Sequence, residues 1–380
     1  MKLLSIVIPT RNREFYCISA IRQILAYDRD DFELCVCDNS DSDEIEDYLK
    51  SRNDARVVYR HIKPQINSAI NMDNAMRMAS GEYICMIGDD DAILPSIFEV
   101  AEWAKKQRYD IITPKFVYTY LWPKSQDYPS SIDVPSSNNS SYTIKDSQKQ
   151  LHVFLKRGLD SYYEVLPRIY HGLVNKEILD DVLAKTGHII GGLSPDIYMS
   201  ITTACLTKKF VVIERPFTIA GACPISWGVK AKDKKISLEL SENPQFYLRG
   251  PYIWDERVPK ITTGETIWAE TAIKAFEEIG YSHYIDEMNQ GALFGNTLFN
   301  KWKLGAKRII NSFLETKLVA SKFSVLFDFI LYSIKRLVKG VYKRLLNKFS
   351  HSNVTTVQGV NNMDEAIRII EECESKQQCQ

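Results

Sequence analysis

The sequence lacks any run of 18 uncharged apolar residues, so a conventional membrane-spanning helix is not expected. Glycine is scarce where nucleotide motifs need it. Only Gly81 and Gly88 occur in the first hundred residues, with neither a GxGxxG turn nor a GxxxxGK loop, which excludes the dinucleotide-binding turn and the P-loop. Net charge is also missing: 48 Lys and Arg balance 48 Asp and Glu, so the chain is no polycation built to hold nucleic acid. The eight cysteines are thinly spread. Cys35 and Cys37 form a CxC, but no second close pair completes a zinc site, and free buried thiols in a reducing compartment are expected. The opening MKLLSIVIPTRN has too short an apolar stretch for a signal peptide, and no small-residue cleavage site follows.

What is present is a 380-residue chain, 45% hydrophobic and 25% charged, the balance of a folded soluble protein of two or three domains. The zero net charge conceals an asymmetry. Residues 301–350 carry twelve bases and two acids, a net of +10; residues 351–380 carry two bases and five acids, a net of −3; the first 300 are left with −7.

Along the first ninety residues, short β-branched runs alternate with segments of helical spacing. Strands are expected at Leu3–Ile8, Phe32–Cys37, Arg56–His61 and Tyr83–Ile87, and helices at Phe15–Ala26, Ile45–Leu49 (with Asp41 or Ser42 as cap) and Asn71–Ala79. That order implies an α/β fold with a mostly parallel central sheet flanked by helices. Ligands of such sheets sit beyond the carboxyl ends of the strands. Three strands end there in polar clusters: Pro9-Thr10-Arg11, Asp38-Asn39 and Asp89-Asp90-Asp91.

The aspartate trio is the most chemical of the three. Like-charged neighbours need a compensating cation, exposure or shifted pKa values. If the stretch is extended, Asp89 and Asp91 face one side and Asp90 the other. Two carboxylates on one side suit Mg²⁺ or Mn²⁺, which can bridge a diphosphate. A solvated acidic loop is the plainer reading, and a buried strand running straight into the trio argues against it.

With these residues in view, the chain resembles glycosyltransferase family 2. The resemblance is carried by Ile6-Val7-Ile8-Pro9-Thr10-Arg11-Asn12-Arg13, by Cys37-Asp38-Asn39-Ser40, and by Gly81-Glu82-Tyr83-Ile84 through Gly88-Asp89-Asp90-Asp91-Ala92-Ile93-Leu94-Pro95. It is close over residues 1–110 and loose to about residue 230. It implies a GT-A fold, a nucleotide-sugar donor, usually UDP-linked, and an inverting, Mn²⁺- or Mg²⁺-dependent transfer. It places Pro9, Thr10 and Arg11 against the nucleoside, Asp38 on the base, and Asp89 and Asp91 as the outer members of a DxD-type metal motif with Asp90 between them. Met72-Asp73-Asn74 stands where many members have Ala-Arg-Asn; Asn74 is then either a structural cap or a donor contact. Trp227 falls in the region that often closes over the donor.

Sugar transfer with inversion needs a base for the acceptor hydroxyl. The resemblance draws it from an acid about a hundred positions beyond the metal motif, and Gly191-Gly192-Leu193-Ser194-Pro195-Asp196 fits, with Ser194 able to cap and Pro195 at the first helical position. Asp196 is the expected base; a merely favourable acid at a helix start is the alternative. Residues 111–300 would complete the acceptor half, with Arg168, Tyr170 and His171 as a polar-aromatic cluster and 129–141 as a surface loop.

Residues 301–350 read as basic amphipathic helix, with Leu326, Phe329, Ile330, Leu337, Val341 and Leu345 on one stripe and Lys335, Arg336, Lys339, Lys343, Arg344 and Lys348 between them. This is the pattern of a helix lying in an anionic membrane interface, with packing on a partner helix as the alternative. Residues 351–380 read as a polar acidic tail with a short helix at Met363–Cys373. The expected protein is cytoplasmic and peripheral on the inner face of the plasma membrane. It moves a sugar to a glycan or lipid-linked glycan in bacterial polysaccharide biosynthesis, as a monomer or a homo-oligomer. A non-catalytic scaffold of the same fold and a nucleotidyltransferase compete; the latter would need a Gly-rich basic loop after the first strand, where Pro9-Thr10-Arg11-Asn12 stands.

Overall fold

The computed structural model describes residues 2–123, 130–135, 141–225, 252–346 and 354–378. Trp227 lies outside them. The first strands are β1 (Leu4–Thr10), β2 (Phe32–Asp38), β3 (Val57–His61) and β4 (Tyr83–Met86), joined by helices α1 (Glu14–Leu25), α2 (Glu44–Arg52) and α3 (Ser68–Arg77). β1 and β2 are buried at every position, as strands covered on both faces must be. β3, at the sheet edge, alternates.

The pleat divides the interior in two. Ile6, Ile8, Leu34, Val36 and Cys85 point into one core with α1; Val7, Cys35, Cys37, Ile84 and Met86 point into another with α3. The α2 cap differs from expectation. Asp43 occupies it without a side-chain bond, because Asp41 and Ser42 are spent on Asn12 and Glu14.

Beyond the trio come β5 (Ala92–Ile93), α4 (Ser96–Gln107), β6 (Ile111–Pro114), β7 (Tyr118–Leu121), β8 (Ser131–Pro135), β9 (Tyr142–Asp146), α5 (Ser147–Lys156), α6 (Tyr162–Val165), β10 (Leu173–Asn175), α7 (Lys176–Thr186), α8 (Pro195–Leu206), β11 (Lys209–Ile213) and β12 (Thr218–Ala222). The C-terminal part holds α9 (Gly264–Glu278), α10 (Gln290–Lys301), α11 (Ala306–Glu315), α12 (Lys322–Leu346), β13 (Val354–Gln358) and α13 (Met363–Gln378). The large mixed sheet runs β3-β2-β1-β4-β10-β6-β11-β9, with β1 to β4 parallel and β10 antiparallel to both its neighbours. A second sheet runs β13-β8-β7-β12-β5.

Two expectations for the later chain are corrected. Within 129–141, Ser131–Pro135 is a strand rather than loop, since Ile132 and Val134 are buried against Tyr118 and Tyr120. The polar tail is not a tail. β13 pairs antiparallel with β8, and Met363, Ala366 and Ile370 of α13 complete the core of the second sheet.

The basic segment is helical, as two helices, α11 and α12. Phe329 leaves the expected exposed stripe and turns inward, stacking on Phe294 of α10 at 4.7 Å. α12 can come this close because α10 presents Gly291 and Gly295, where a Cβ would meet the Val325 carbonyl at 2.3 Å and the Tyr332 ring at 2.3 Å. The opposite face of α12 stays exposed, with Phe323, Phe327, Ile334 and Leu337 all more than half accessible. Among the described residues, no helix is long and apolar enough to cross a membrane.

Candidate functional site

A cleft of about 430 Å³ opens at the carboxyl ends of β1, β2 and β4. Pro9, Thr10, Arg11, Arg13, Asn39, Asn71, Asp89, Asp90 and Tyr170 line it. Three strand ends thus meet as the topology requires, but several side chains are not those the sequence suggested.

Gly88 to Asp91 is a tight turn, not an extended stretch, so the expected alternation of Asp89 and Asp91 against Asp90 does not hold. Asp89 and Asp90 share Arg13, at 2.8 and 2.7 Å, and Thr10 donates to Asp89 at 2.7 Å. Asp91 is held by protein donors: the Gly88 amide at 2.5 Å, the Tyr170 hydroxyl at 2.8 Å and the Gly221 amide at 2.7 Å. The second sheet supplies much of this frame. Trp122 donates to the Asp90 carbonyl, and the Cys223 amide to its carboxylate, both at 2.9 Å. Gly221 must lack a side chain, because a Cβ there would lie 1.7 Å from the Asp90 carbonyl oxygen.

Burial pushes the Asp89 and Asp91 carboxyls up to about 7, partly offset at Asp89 by Arg13 and raised further at both by Asp90. Asp89 and Asp90 share one guanidinium and Asp91 pairs with none, which leaves surplus negative charge. A hard divalent cation with oxygen ligands would remove that surplus, and the donor set fits Mn²⁺ or Mg²⁺. A separate group, Asp43, Glu46 and His61, also brings ligand atoms within 4.8 Å of one another. Lys63 and Lys50 already pair with its two acids.

Asp38 is corrected. It is fully buried, its oxygens accepting from the Ser40 amide at 2.8 Å and the Tyr59 hydroxyl at 2.9 Å, so it shapes the turn and does not line the cleft. Its neighbour Asn39 faces the cleft and accepts from Arg11 at 2.9 Å. Asn74 does not line the cleft either; Asn71, one helical turn earlier, does, donating to the Thr10 carbonyl at 3.1 Å. Asp73 accepts from the Ile189 and Ile190 amides and so pins the loop that leads to Asp196.

Asp196 stands in the first turn of α8 behind Pro195. Ser194 holds the cap position without a side-chain bond; its amide donates to Thr271 instead. The Asp196 carboxyl is pushed up to about 6 by burial, with a long hydrogen bond from Tyr162, 3.4 Å, pulling the other way. The Tyr170 hydroxyl is held well above its usual pKa by burial, then by the charges of Asp91, Asp90 and Asp196. His171, buried and at φ 64°, places Nε2 3.3 Å from Asp91, and burial drives it down to about 3, so it is neutral. Arg168 is a mostly buried guanidinium whose Nε and one Nη have no partner.

Residues 5–158, about two fifths of the chain, match the family model described as Glycosyl transferase family 2. A putative colanic acid biosynthesis glycosyl transferase, WcaA of Escherichia coli K12, is 29% identical over 159 residues, 41% of this chain and 54% of that protein. A GalNAc(5)-diNAcBac-PP-undecaprenol beta-1,3-glucosyltransferase of Campylobacter jejuni is 32% identical over 99 residues, covering 25% and 31%. The abequosyltransferase RfbV of Salmonella typhimurium is 23% identical over 258 residues, covering 63% and 72%. The chain thus spans about half of the first of these relatives and under a third of the second. S. aureus TarS 1–349, solved in complex with UDP-GlcNAc, superposes with a TM-score of 0.51 at 14% identity over 82% of this chain and 79% of that one, a likeness of fold alone.

Proposed function

We propose that the protein is an inverting glycosyltransferase of GT-A type. It takes a nucleotide-diphospho-sugar, UDP-linked, and glycosylates a hydroxyl of a glycan or lipid-linked glycan in bacterial polysaccharide biosynthesis. The observation that carries this reading is the cleft at the strand ends, where Asp89 and Asp90 line the wall with Tyr170, whose hydroxyl donates to Asp91. Relatives named as a colanic acid biosynthesis glycosyl transferase and an abequosyltransferase support it.

In this reading Thr10, Arg11 and Asn39 border the nucleoside, and Asn71 closes the floor of the cleft. Mn²⁺ or Mg²⁺ held by Asp89 and Asp91, with Asp90 beside them, supplies neutralising charge for the departing diphosphate. Asp196 takes the acceptor proton as the hydroxyl oxygen attacks the anomeric carbon, while the bond from that carbon to the diphosphate oxygen breaks. Neutral Tyr170 and neutral His171 orient Asp91 without competing for the proton. The exposed apolar face of α12, together with the net positive charge of residues 301–350, keeps the enzyme peripheral on an anionic cytoplasmic leaflet.

Calorimetric titration of UDP with Mn²⁺, then with chelator, tests the donor half. Chelation and Asp91→Ala should each weaken binding at least tenfold. An affinity indifferent to both removes the metal assignment.

A further inference from the structure

The start of α2 meets the end of β3 in a group of side chains that sugar transfer does not use. Asp43 and Glu46 stand three positions apart at the first turn of α2, and His61 is the last residue of β3. None of the three lines the cleft. Asp43 occupies the N-cap of α2 without capping it, so its carboxylate is free for another task. One ligand atom from each residue lies within 4.8 Å of the other two. Acids at a helix start carry no meaning alone; the histidine gives these two a direction.

His61 is held firmly. Only 7% of its side chain is accessible, and Nε2 lies 2.9 Å from the Ser40 carbonyl oxygen. A carbonyl only accepts, so Nε2 carries a proton and donates it. The other ring nitrogen, Nδ1, is buried and has no hydrogen-bond partner among the described residues. It faces the two acids, 3.4 Å from Asp43 and 3.6 Å from Glu46. A protonated Nδ1 would draw one carboxylate to about 2.7–2.9 Å, the length of a charge-assisted hydrogen bond. An unprotonated Nδ1 would turn its lone pair on two negative charges. A cation among the three atoms resolves both difficulties. Zinc bonds of about 2.0–2.2 Å put neighbouring ligand atoms of a tetrahedron roughly 3.3–3.6 Å apart. The Ser40 carbonyl fits the same pattern, since a metal-binding imidazole gives its other N–H to an acceptor that fixes its tautomer.

We propose that Asp43, Glu46 and His61 bind Zn²⁺ or a similar first-row divalent cation, with water completing the coordination. One imidazole beside two carboxylates suits zinc better than Mg²⁺ or Ca²⁺, which take oxygen ligands. Lys63 on Asp43 and Lys50 on Glu46 compete with the ion, but both lysine side chains are more than half exposed and can turn into solvent. The bound ion staples α2 to β3. Through His61 and Ser40 it also steadies the β2–α2 turn, whose Asn39 faces the cleft. Its binding does not rest on the sugar-transfer reading.

Calorimetric titration of Zn²⁺ into the full chain, in a large excess of Mg²⁺ to fill oxygen-only sites, tests the assignment. Saturable binding is expected, weakened roughly tenfold or more by Asp43→Asn/Glu46→Gln. Lys50→Gln/Lys63→Gln removes the competing charges and should tighten binding roughly threefold or more, a direction that general damage to the fold would not produce. Co²⁺ in place of Zn²⁺ should give the visible absorption of a four-coordinate site in the parent chain and lose it in the acid variant. Absence of saturable binding overturns the site, and so does binding that survives the acid variant or that the lysine variant leaves no tighter. If the acid variant melts early, the lysine variant decides alone.

Discussion

Asp196 is the residue on which the proposed chemistry turns. Asp196→Asn keeps the shape of the helix start but cannot accept a proton, so turnover should fall roughly 10²–10⁴-fold with UDP affinity unchanged. Because the base works only when ionised and titrates near 6, kcat/KM should rise with pH below 6 and level off above it. The Tyr162 hydroxyl favours the carboxylate, so Tyr162→Phe should move that inflection upward. NMR of the product from an α-linked donor reads the stereochemistry; retention would exclude single displacement. Arg13 makes a second test. It neutralises Asp89 and Asp90 from a partly buried position, and Arg13→Gln should cost on the order of 3–5 kcal/mol, read as a lower melting temperature and partly restored by Mn²⁺. At this scale the sequence located the strand ends better than the side chains. The family resemblance set Asp38 on the base, whereas the structure shows it accepting from the Ser40 amide two residues on and from Tyr59 of β3, a partner no local pattern marks. Arg13 stood inside the quoted motif, and what made it functional was a pairing with residues more than seventy positions away.

At the scale of elements, α12 explains why periodicity alone misplaced its faces. It carries two apolar surfaces, one spent on the glycines of α10 and one exposed, so a single stripe drawn through Phe329 and Ile330 mixes them. Phe323→Glu/Leu337→Glu should therefore release the protein from phosphatidylglycerol vesicles in flotation assays while leaving its melting temperature within a few degrees. Coincident loss of both would mean the face is covered within the fold. The parallel strands were legible because each is a short apolar run closed by a polar cluster. β8 was not, lying in Ser- and Pro-rich surroundings and stabilised by β13, more than two hundred residues later.

The whole molecule is two sheets meeting at one turn. The large sheet delivers Asp89, and the second sheet holds Asp90 and Asp91 through Trp122, Gly221 and Cys223. The far edge of that second sheet is β13, and α13 after it is tied to α1 by the Arg22–Asp364 pair at 2.7 Å and to β7 by Tyr118 donating to Glu374 at 2.8 Å. Truncation after residue 350 should thus weaken Mn²⁺-dependent UDP binding at least tenfold, although no described residue beyond 350 lines the cleft. For a chain made from its amino end on a ribosome, this imposes an order of events. The aspartate motif emerges early, but its second wall is complete only once residues 354–378 have left the ribosome, so the nascent chain carries the motif well before the frame that holds it.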